Sequence, residues 1–283
     1  MNHHPTFRLL WRLVNTAIVL FGIFLPLTTV WEFSTRQYLK GFASGIVIPE
    51  SGAQAKVTAI MLWMENNSRR SGAGSTDLLT VRDPEDTLNS GKLLGICGSA
   101  TNAFVNLANS SGIPARRLLL LNAGNTANHV VAEVQSDGHW YVVDPVFHII
   151  PHGPDGQWLT ASDLRDSTML ASITHGIPAY RPDYNYQRTA HLRLSRVPVI
   201  GPFAGRILNH LWPDWDGDIF WTLLTERESF AAFVGVMFLL LLLLLLHIAM
   251  RFYGRRRLGM SRVELVCPLH PRPAPHTLTT GRA

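Results

Sequence analysis

LLGICGSATNAFVNLANSSGIPAR, residues 93–116, places one of the two cysteines of the chain at the start of a predicted helix. After the cysteine, small and apolar residues recur at helical spacing. Gly112 suits the position that follows a helix, and Pro114 cannot continue one. We therefore predict a helix that begins between Cys97 and Ser99 and ends before Gly112.

The composition indicates apolar segments outside an ordinary core, since 47% of the residues are hydrophobic and 16% are charged. Two uncharged stretches account for this, 18 residues from Leu13 to Val30 and 21 residues from Phe230 to Met250. The second would form a helix about 30 Å long, the thickness of a bilayer core. The first contains Pro26 and could be a cleaved signal peptide, but no small-residue cleavage site follows closely. We therefore favour an uncleaved membrane helix.

Positive charge is concentrated in the two tails. Nine of the 25 Lys and Arg residues precede residue 13 or follow residue 250, where Glu264 is the one acidic residue. The positive-inside rule therefore predicts cytoplasmic termini and an extracytoplasmic (periplasmic) middle region, in the inner or plasma membrane. The lipid bilayer is the expected partner. Short arginine clusters beside membrane helices are typical topology signals, so we expect no nucleic-acid binding.

These features predict seven segments and an α+β domain, in which helices are followed by an antiparallel sheet. The segments are a cytoplasmic N-terminus (1–12), a transmembrane helix (13–30), a linker (31–46), the α+β domain (47–180), an aromatic and Pro-rich juxtamembrane stem (181–229), a second transmembrane helix (230–250) and a basic cytoplasmic tail predicted to be disordered (251–283).

The predicted topology leaves Cys97 without a disulfide partner. Cys267 lies in the cytoplasmic tail, so the membrane separates the two thiols. A lone cysteine is often a small buried hydrophobe. At a helix N-terminus, however, free N–H groups and the helix dipole favour the thiolate, and Gly95 and Gly98 leave room for a substrate backbone. We interpret Cys97 as a candidate nucleophile.

A candidate base and its orienting carboxylate lie in residues 128–146, NHVVAEVQSDGHWYVVDPV. The Asp137-Gly138 pair between two alternating runs predicts a β-hairpin. With a two- or four-residue loop, His129 and Asp144 become diagonal neighbours on one sheet face, within side-chain reach. A simple three-residue loop would place them on opposite faces.

Three segments, GIPAR (112–116), HVVAEV (129–134) and WYVVDP (140–145), resemble the transglutaminase-like superfamily of papain-like cysteine enzymes. In that family a cysteine at a helix start faces a histidine and an aspartate on adjacent strands. The resemblance therefore implies a papain/transglutaminase-like domain between the two membrane helices. It assigns the catalytic roles to Cys97, His129 and Asp144. Val131 departs from the Trp that family members often carry, which concerns substrate specificity more than the triad.

Other candidate site residues are weaker. The backbone N–H of Cys97 is one expected oxyanion donor, and Asn89 and Trp63 are candidates for the second. Gly98 and Trp140 are candidate substrate-binding residues. The sequence predicts no metal ligands and no cofactor.

The resemblance implies a thiol enzyme that acts on amide or acyl bonds through a thioester, which either water (peptidase or amidase) or an amine (transamidase) resolves. The predicted location makes a peptide, protein or acylated glycan of the cell envelope the expected substrate. The alternative from another class is a catalytically silent domain of this fold that serves as a binding or assembly module of a cell-envelope machine, with membrane-complex partners. A cleaved, secreted enzyme is a third interpretation.

Overall fold

A computed structural model describes residues 5–68, 83–89, 93–177, 179–192, 200–212 and 215–258. The helices and strands are α1 (Pro5–Ser44), α2 (Ala53–Asn67), α3 (Pro84–Asn89), α4 (Cys97–Ser110), β1 (Ala115–Leu121), β2 (Ala127–Ser136), β3 (His139–Val143), α5 (Ser167–Thr174), β4 (Thr189–Ala190), α6 (Ile200–Leu211), α7 (Ile219–Glu226) and α8 (Glu228–Arg257). Among the described residues, short 3₁₀ segments lie at Leu93–Gly95, Asp163–Arg165 and Trp215–Gly217.

The chain divides into two compact units, one of Met1–Leu27 with Gly235–Ala283 and one of Thr28–Val234. In the first unit the Trp11 ring contacts the His247 ring, with centroids 4.5 Å apart. Both α1 and α8 are long and apolar enough to cross a membrane, with mean hydropathies of 2.0 and 2.9 over their most apolar windows. Helices of this length and composition are compatible with membrane anchoring.

The first long helix extends well beyond the predicted span 13–30. It continues to Ser44, so most of the segment 31–46 that we assigned to a linker is helical. The physical reason is that a hydropathy pattern ends where charged residues such as Glu32 begin, whereas a helix continues until a breaker or a cap ends it.

The Thr28–Val234 unit is built on a four-stranded antiparallel sheet with strand order β3-β2-β1-β4. Buried residues of α2 and α4 pack on one face, including Met64, Phe104 and Leu107. A second cluster on the other face contains Leu118 and Tyr186. The α+β class predicted from the sequence is confirmed.

The β2–β3 hairpin has a two-residue loop, one of the two loop lengths left open by the sequence, and Ser136 pairs with His139. Gln135 pairs with Trp140 across the ladder. Asp137 and Gly138 both adopt positive φ, 50° and 80°, as a type I′ turn requires. The parity that places His129 and Asp144 on one face is therefore present.

The helix that carries the cysteine ends as the sequence predicts. Gly112 has a φ of 79°, and the Ile113 N–H bonds the carbonyl of Ala108 at 2.9 Å. This left-handed cap turns the chain directly into β1, so α4 and β1 pack against each other.

Candidate active site

The nucleophile candidate lies at the first residue of α4. Ile96 precedes the helix in extended conformation, and Cys97 is the first helical residue, with a partly exposed side chain. The first N–H groups of a helix have no partners within it, and their dipoles point toward a group placed there.

A buried histidine and aspartate form the second part of the site. Nε2 of His129 lies 2.7 Å from Oδ2 of Asp144, and the two side chains are 1% and 3% exposed. The backbone of Asp144 bonds that of Ile149 in both directions, which closes a tight loop, and Oδ1 of Asp144 accepts from the Phe147 N–H at 3.4 Å. The Asp144 carboxylate is therefore held in a fixed position, from which it orients the His129 imidazole.

The His129 imidazole interacts with the Cys97 side chain as well as with Asp144. Burial lowers the pKa of His129, but the hydrogen bond with Asp144 and the interaction with the Cys97 side chain outweigh burial and raise this pKa to about 9. Nδ1 is buried, and no described group makes an aligned hydrogen bond with it. Cys97 therefore acts on the imidazole without an aligned hydrogen bond, as is common before substrate binds.

Aromatic rings enclose the His129 imidazole. Tyr184 stacks on it, with centroids 4.4 Å apart and ring planes 11° apart, and the Phe147 and Tyr180 rings lie at 5.5 and 6.1 Å. Burial raises the pKa of Tyr184, Arg181 opposes that effect, and Cys97 adds to the increase. Tyr184 is therefore near both members of the candidate pair.

The segment 180–187, which we call the strap, is tied to the strand that carries His129. Nδ2 of Asn128 donates to the carbonyl of Asp183 at 2.9 Å, and Arg181 pairs with the Asp183 carboxylate at 2.8 Å. At the other end, Nε2 of Gln187 donates to the carbonyl of Arg165 at 2.7 Å. These bonds hold the Tyr184 ring over the imidazole.

The sequence did not predict the strap. We assigned residues from 181 onward to a stem because they are rich in Pro and aromatic residues. The chain turns between Arg181 and Tyr184, and Tyr184 and Tyr186 pack with the second core cluster.

The weaker site candidates have other contacts. Oδ1 of Asn89 accepts from the Tyr38 hydroxyl at 3.1 Å. Trp63 packs edge-on against Phe42, with centroids 5.0 Å apart, beside the core cluster that contains α4. These contacts favour packing roles, and the role of either residue as an oxyanion donor stays a prediction.

Gly98 and Trp140 differ in their surroundings. A Cβ at Gly98 would have no neighbour within 4 Å, so space is open beside the cysteine. The Arg116 guanidinium lies over the Trp140 ring, with Cζ 3.9 Å from the ring centroid. Arg116 also forms an ion pair with the buried Glu133 at 2.8 Å. Burial would raise the pKa of Glu133, but His191 and Arg116 lower it overall. Trp140 thus packs against the Arg116–Glu133 ion pair, and its role in substrate binding stays a prediction.

Within the part of the chain that the structure describes, no three His, Cys, Asp or Glu side chains converge as metal ligands do. The arrangement at Cys97 consists of a thiol at a helix start, an imidazole that interacts with it and a carboxylate that holds the imidazole. This combination can perform covalent acyl chemistry.

Comparison with known proteins identifies the region that holds this arrangement. Residues 40–145 match the family model described as the transglutaminase-like superfamily. Neither the comparison with curated proteins nor that with solved structures found a match.

Proposed function

We propose that the chain is a membrane-anchored thiol enzyme that acts on amide or acyl bonds outside the cytoplasm, because residues 40–145 match the model of the transglutaminase-like superfamily. The observation that supports this proposal most is the His129 ring, which Asp144 holds at Nε2 and which interacts with the Cys97 side chain. A histidine that only filled a core would not need a buried carboxylate on one nitrogen and a thiol near the other.

The first chemical step is attack by sulfur. The thiol proton has already moved to His129 in the resting thiolate–imidazolium pair, and Cys97 Sγ forms a bond with the acyl carbon of the substrate. The electron pair of the carbonyl moves to oxygen, where the backbone N–H of Cys97 at the helix start is a donor. Asp144 stabilises the imidazolium and keeps the ring in the required orientation.

The second step releases the leaving group and regenerates the thiol. His129 gives its proton to the leaving amine or alcohol as the bond from carbon breaks, which leaves a thioester on Cys97. Water or an amine then attacks the thioester carbon while His129 accepts its proton. The C–S bond breaks, the acyl product leaves, and sulfur departs as the thiolate beside the His129 imidazolium, which restores the resting pair. Hydrolysis makes the enzyme a peptidase or amidase, and aminolysis makes it a transamidase.

The substrate in this proposal is a peptide, protein or acylated glycan of the cell envelope. The support comes from the two long apolar helices and from the arginine-rich tails, which favour cytoplasmic termini. The catalytic domain would then face the envelope.

A specific observation favours a second candidate, a catalytically silent binding or assembly module. The Tyr184 ring stacks directly on the His129 imidazole, and such a cover narrows the approach to the pair. If the strap stays over the His129 imidazole, the domain would bind a partner on its surface without converting a substrate.

Covalent trapping separates the two candidates. Membranes that contain the full chain are treated with a peptide probe that carries a thiol-reactive acyl-mimicking electrophile, and labelled peptides are identified by mass spectrometry. The enzyme proposal predicts rapid labelling of Cys97 that falls at least tenfold in His129→Gln. Labelling that is slow in the parent chain and equal in the variant would support the silent module.

The substrate can be approached with the same system. A Cys97→Ser chain should retain bound substrate long enough for cross-linking in the native envelope. The hypothesis predicts that the captured molecules carry an amide or ester that purified parent chain cleaves or transfers. Cys97→Ala should leave them unchanged, and equal turnover by this variant would contradict the mechanism.

A further inference from the structure

A cluster of buried charged and amide side chains lies away from the triad, where α1 and α8 meet the domain. We call it the basal network. Its members are Glu32 in α1, Asn102 and Asn106 in α4, Arg117 in β1, Glu226 in α7, and Arg227 and Ser229 at the start of α8.

Glu32 joins the two long helices. Its carboxylate accepts from Nη1 of Arg227 at 3.2 Å and from the Ser229 hydroxyl at 2.7 Å, and all three residues are buried. Arg36 also pairs with Glu32, at 2.6 Å, but its side chain is 56% exposed. Glu32 follows the predicted span 13–30 by two residues and Ser229 directly precedes the span 230–250, so this contact marks the base of both predicted membrane helices.

The same arginine connects the base of the helices to α4. Nε of Arg227 donates to Oδ1 of Asn106 at 2.9 Å, and Nδ2 of Asn106 donates to the carbonyl of Glu226 at 3.0 Å. One turn earlier, Nδ2 of Asn102 donates to that carbonyl at 2.5 Å and to the Glu226 carboxylate at 3.2 Å. Arg117 of β1 pairs with the same carboxylate.

The hydrogen bonds and ion pairs of the basal network require specific orientations of their donors and acceptors, whereas apolar packing does not. Buried ions and amides are costly to desolvate, and apolar residues of similar size could hold the helices together without that cost. A network of this kind specifies one rotation and one register of the packed helices because each donor must meet its acceptor. Asn106 is fully buried and Asn102 is 3% exposed, so both sit where a displacement would break these bonds.

Asn102 and Asn106 belong to the helix that begins at Cys97. They lie about 7.5 and 13.5 Å from it along the helix axis. We propose that the basal network positions Cys97: Asn102 and Asn106 are positioning residues through which the pairing of the two long helices sets the distance between the thiol and His129. This inference rests on the proposed function.

The test measures the rate of Cys97 alkylation by iodoacetamide against pH. The full chain is reconstituted in nanodiscs with Cys267→Ser, so that one thiol remains. Arg227→Lys keeps a positive charge near Glu32 but removes the Nε donor to Asn106. Arg36→Gln is the matched control because it removes the exposed partner of Glu32 and leaves the bonds to α4 intact.

We expect Arg227→Lys to lower the alkylation rate near neutral pH about tenfold and to move the pH profile to the alkaline side, because the thiolate loses its close imidazolium. Arg36→Gln should stay within about twofold of the parent. If thermal unfolding shows that Arg227→Lys is not folded, the double variant Glu32→Gln/Arg227→Gln, which leaves no lone buried charge, should show the same shift.

An unchanged profile in a folded Arg227→Lys or double variant would overturn the positioning role, as would an equal loss in Arg36→Gln. Either result leaves the proposed function standing, provided that the parent thiol reacts rapidly near neutral pH. A parent thiol that titrates like free cysteine would instead contradict the proposed function itself.

Discussion

His129 is the residue on which the proposed chemistry depends, because its imidazole is hydrogen-bonded to the Asp144 carboxylate and interacts with the Cys97 side chain. The environment of His129 has two opposing effects on the pKa of the ring: burial lowers this pKa, whereas Asp144 and Cys97 raise it. Asp144 and Cys97 prevail, and the raised pKa of about 9 means that the ring is protonated near neutral pH in the resting site. A protonated ring beside a thiol at a helix start favours the thiolate–imidazolium pair.

Replacing the carboxylate tests the orientation of the ring. Asp144→Asn should lower the pKa of His129 and reduce probe labelling of Cys97 by about 100-fold or more, because an amide no longer fixes the orientation and charge of the imidazole. The measurement is the labelling rate at neutral pH. Asp155→Asn, an exposed position, is the control and should match the parent. Equal rates in the parent and Asp144→Asn would remove the carboxylate from the mechanism.

The raised pKa of His129 also predicts how stability depends on pH. The folded chain binds the His129 proton with a pKa of about 9 against an ordinary 6.5. This protonation therefore stabilises the fold fully below pH 6.5, and the contribution is lost as the pH rises through about 9. Thermal unfolding midpoints of the parent chain should fall across that window more steeply than those of His129→Gln. Parallel curves would show that the ring is not preferentially protonated in the folded state.

At the scale of elements, the sequence predicted those features that follow from local chemistry. Asp137-Gly138 fixes a two-residue turn, and the turn fixes the parity that brings His129 and Asp144 together. Gly112 ends α4 with positive φ, as its sequence position indicates. The strap was not predicted because the stacking of Tyr184 on His129 joins residues 55 positions apart, and no local pattern specifies such a contact.

The strap should control access to the thiol. Tyr184→Ala removes the ring over His129. The rate at which a bulky maleimide modifies Cys97 should therefore rise several-fold more than the rate for the smaller iodoacetamide. Tyr184→Phe keeps the ring and should leave the ratio of the two rates unchanged. The ratio is measured in the Cys267→Ser chain. A ratio that does not respond to Tyr184→Ala would mean that the strap does not cover the thiol.

The contact between β1 and the Trp215–Gly217 turn predicts a stability effect. A Cβ at Gly217 would lie 2.6 Å from Nη1 of Arg116, which donates to the Gly217 carbonyl at 2.8 Å. Arg116 is held by Glu133 and by the Trp140 ring and cannot withdraw without losing these contacts. Gly217→Ala should therefore cost about 1–3 kcal/mol, measured by denaturant unfolding.

A matched glycine provides the control. A Cβ at Gly41 in α1 would have no neighbour within 4 Å, so Gly41→Ala should be neutral or slightly stabilising. Equal stability of the Gly217→Ala and parent chains would indicate that Arg116 can move at no cost.

At the scale of the whole molecule, composition predicted two long apolar helices around an α+β domain, and the structure contains both. Hydropathy did not reveal that α1 continues to Ser44 or that Glu32 is buried against Arg227. The sequence does not reveal the Glu32–Arg227 ion pair, because the two residues are 195 positions apart and become neighbours only in the folded chain.

The two native cysteines test the proposed topology. With a membrane-impermeant maleimide on spheroplasts that contain the full chain, Cys97 should be labelled from outside, whereas Cys267 should react only after lysis. Both sites are quantified by peptide mass spectrometry. Labelling of Cys267 in intact spheroplasts would reverse or remove the proposed orientation.

The most direct measurement of the central claim is the pH dependence of Cys97 alkylation in the Cys267→Ser chain. A thiolate held by His129 predicts a rate that is already close to its plateau at about pH 6 and that falls strongly in His129→Gln. A rate that rises with a midpoint near about pH 8.5, as for free cysteine, and that is the same in His129→Gln would contradict the account.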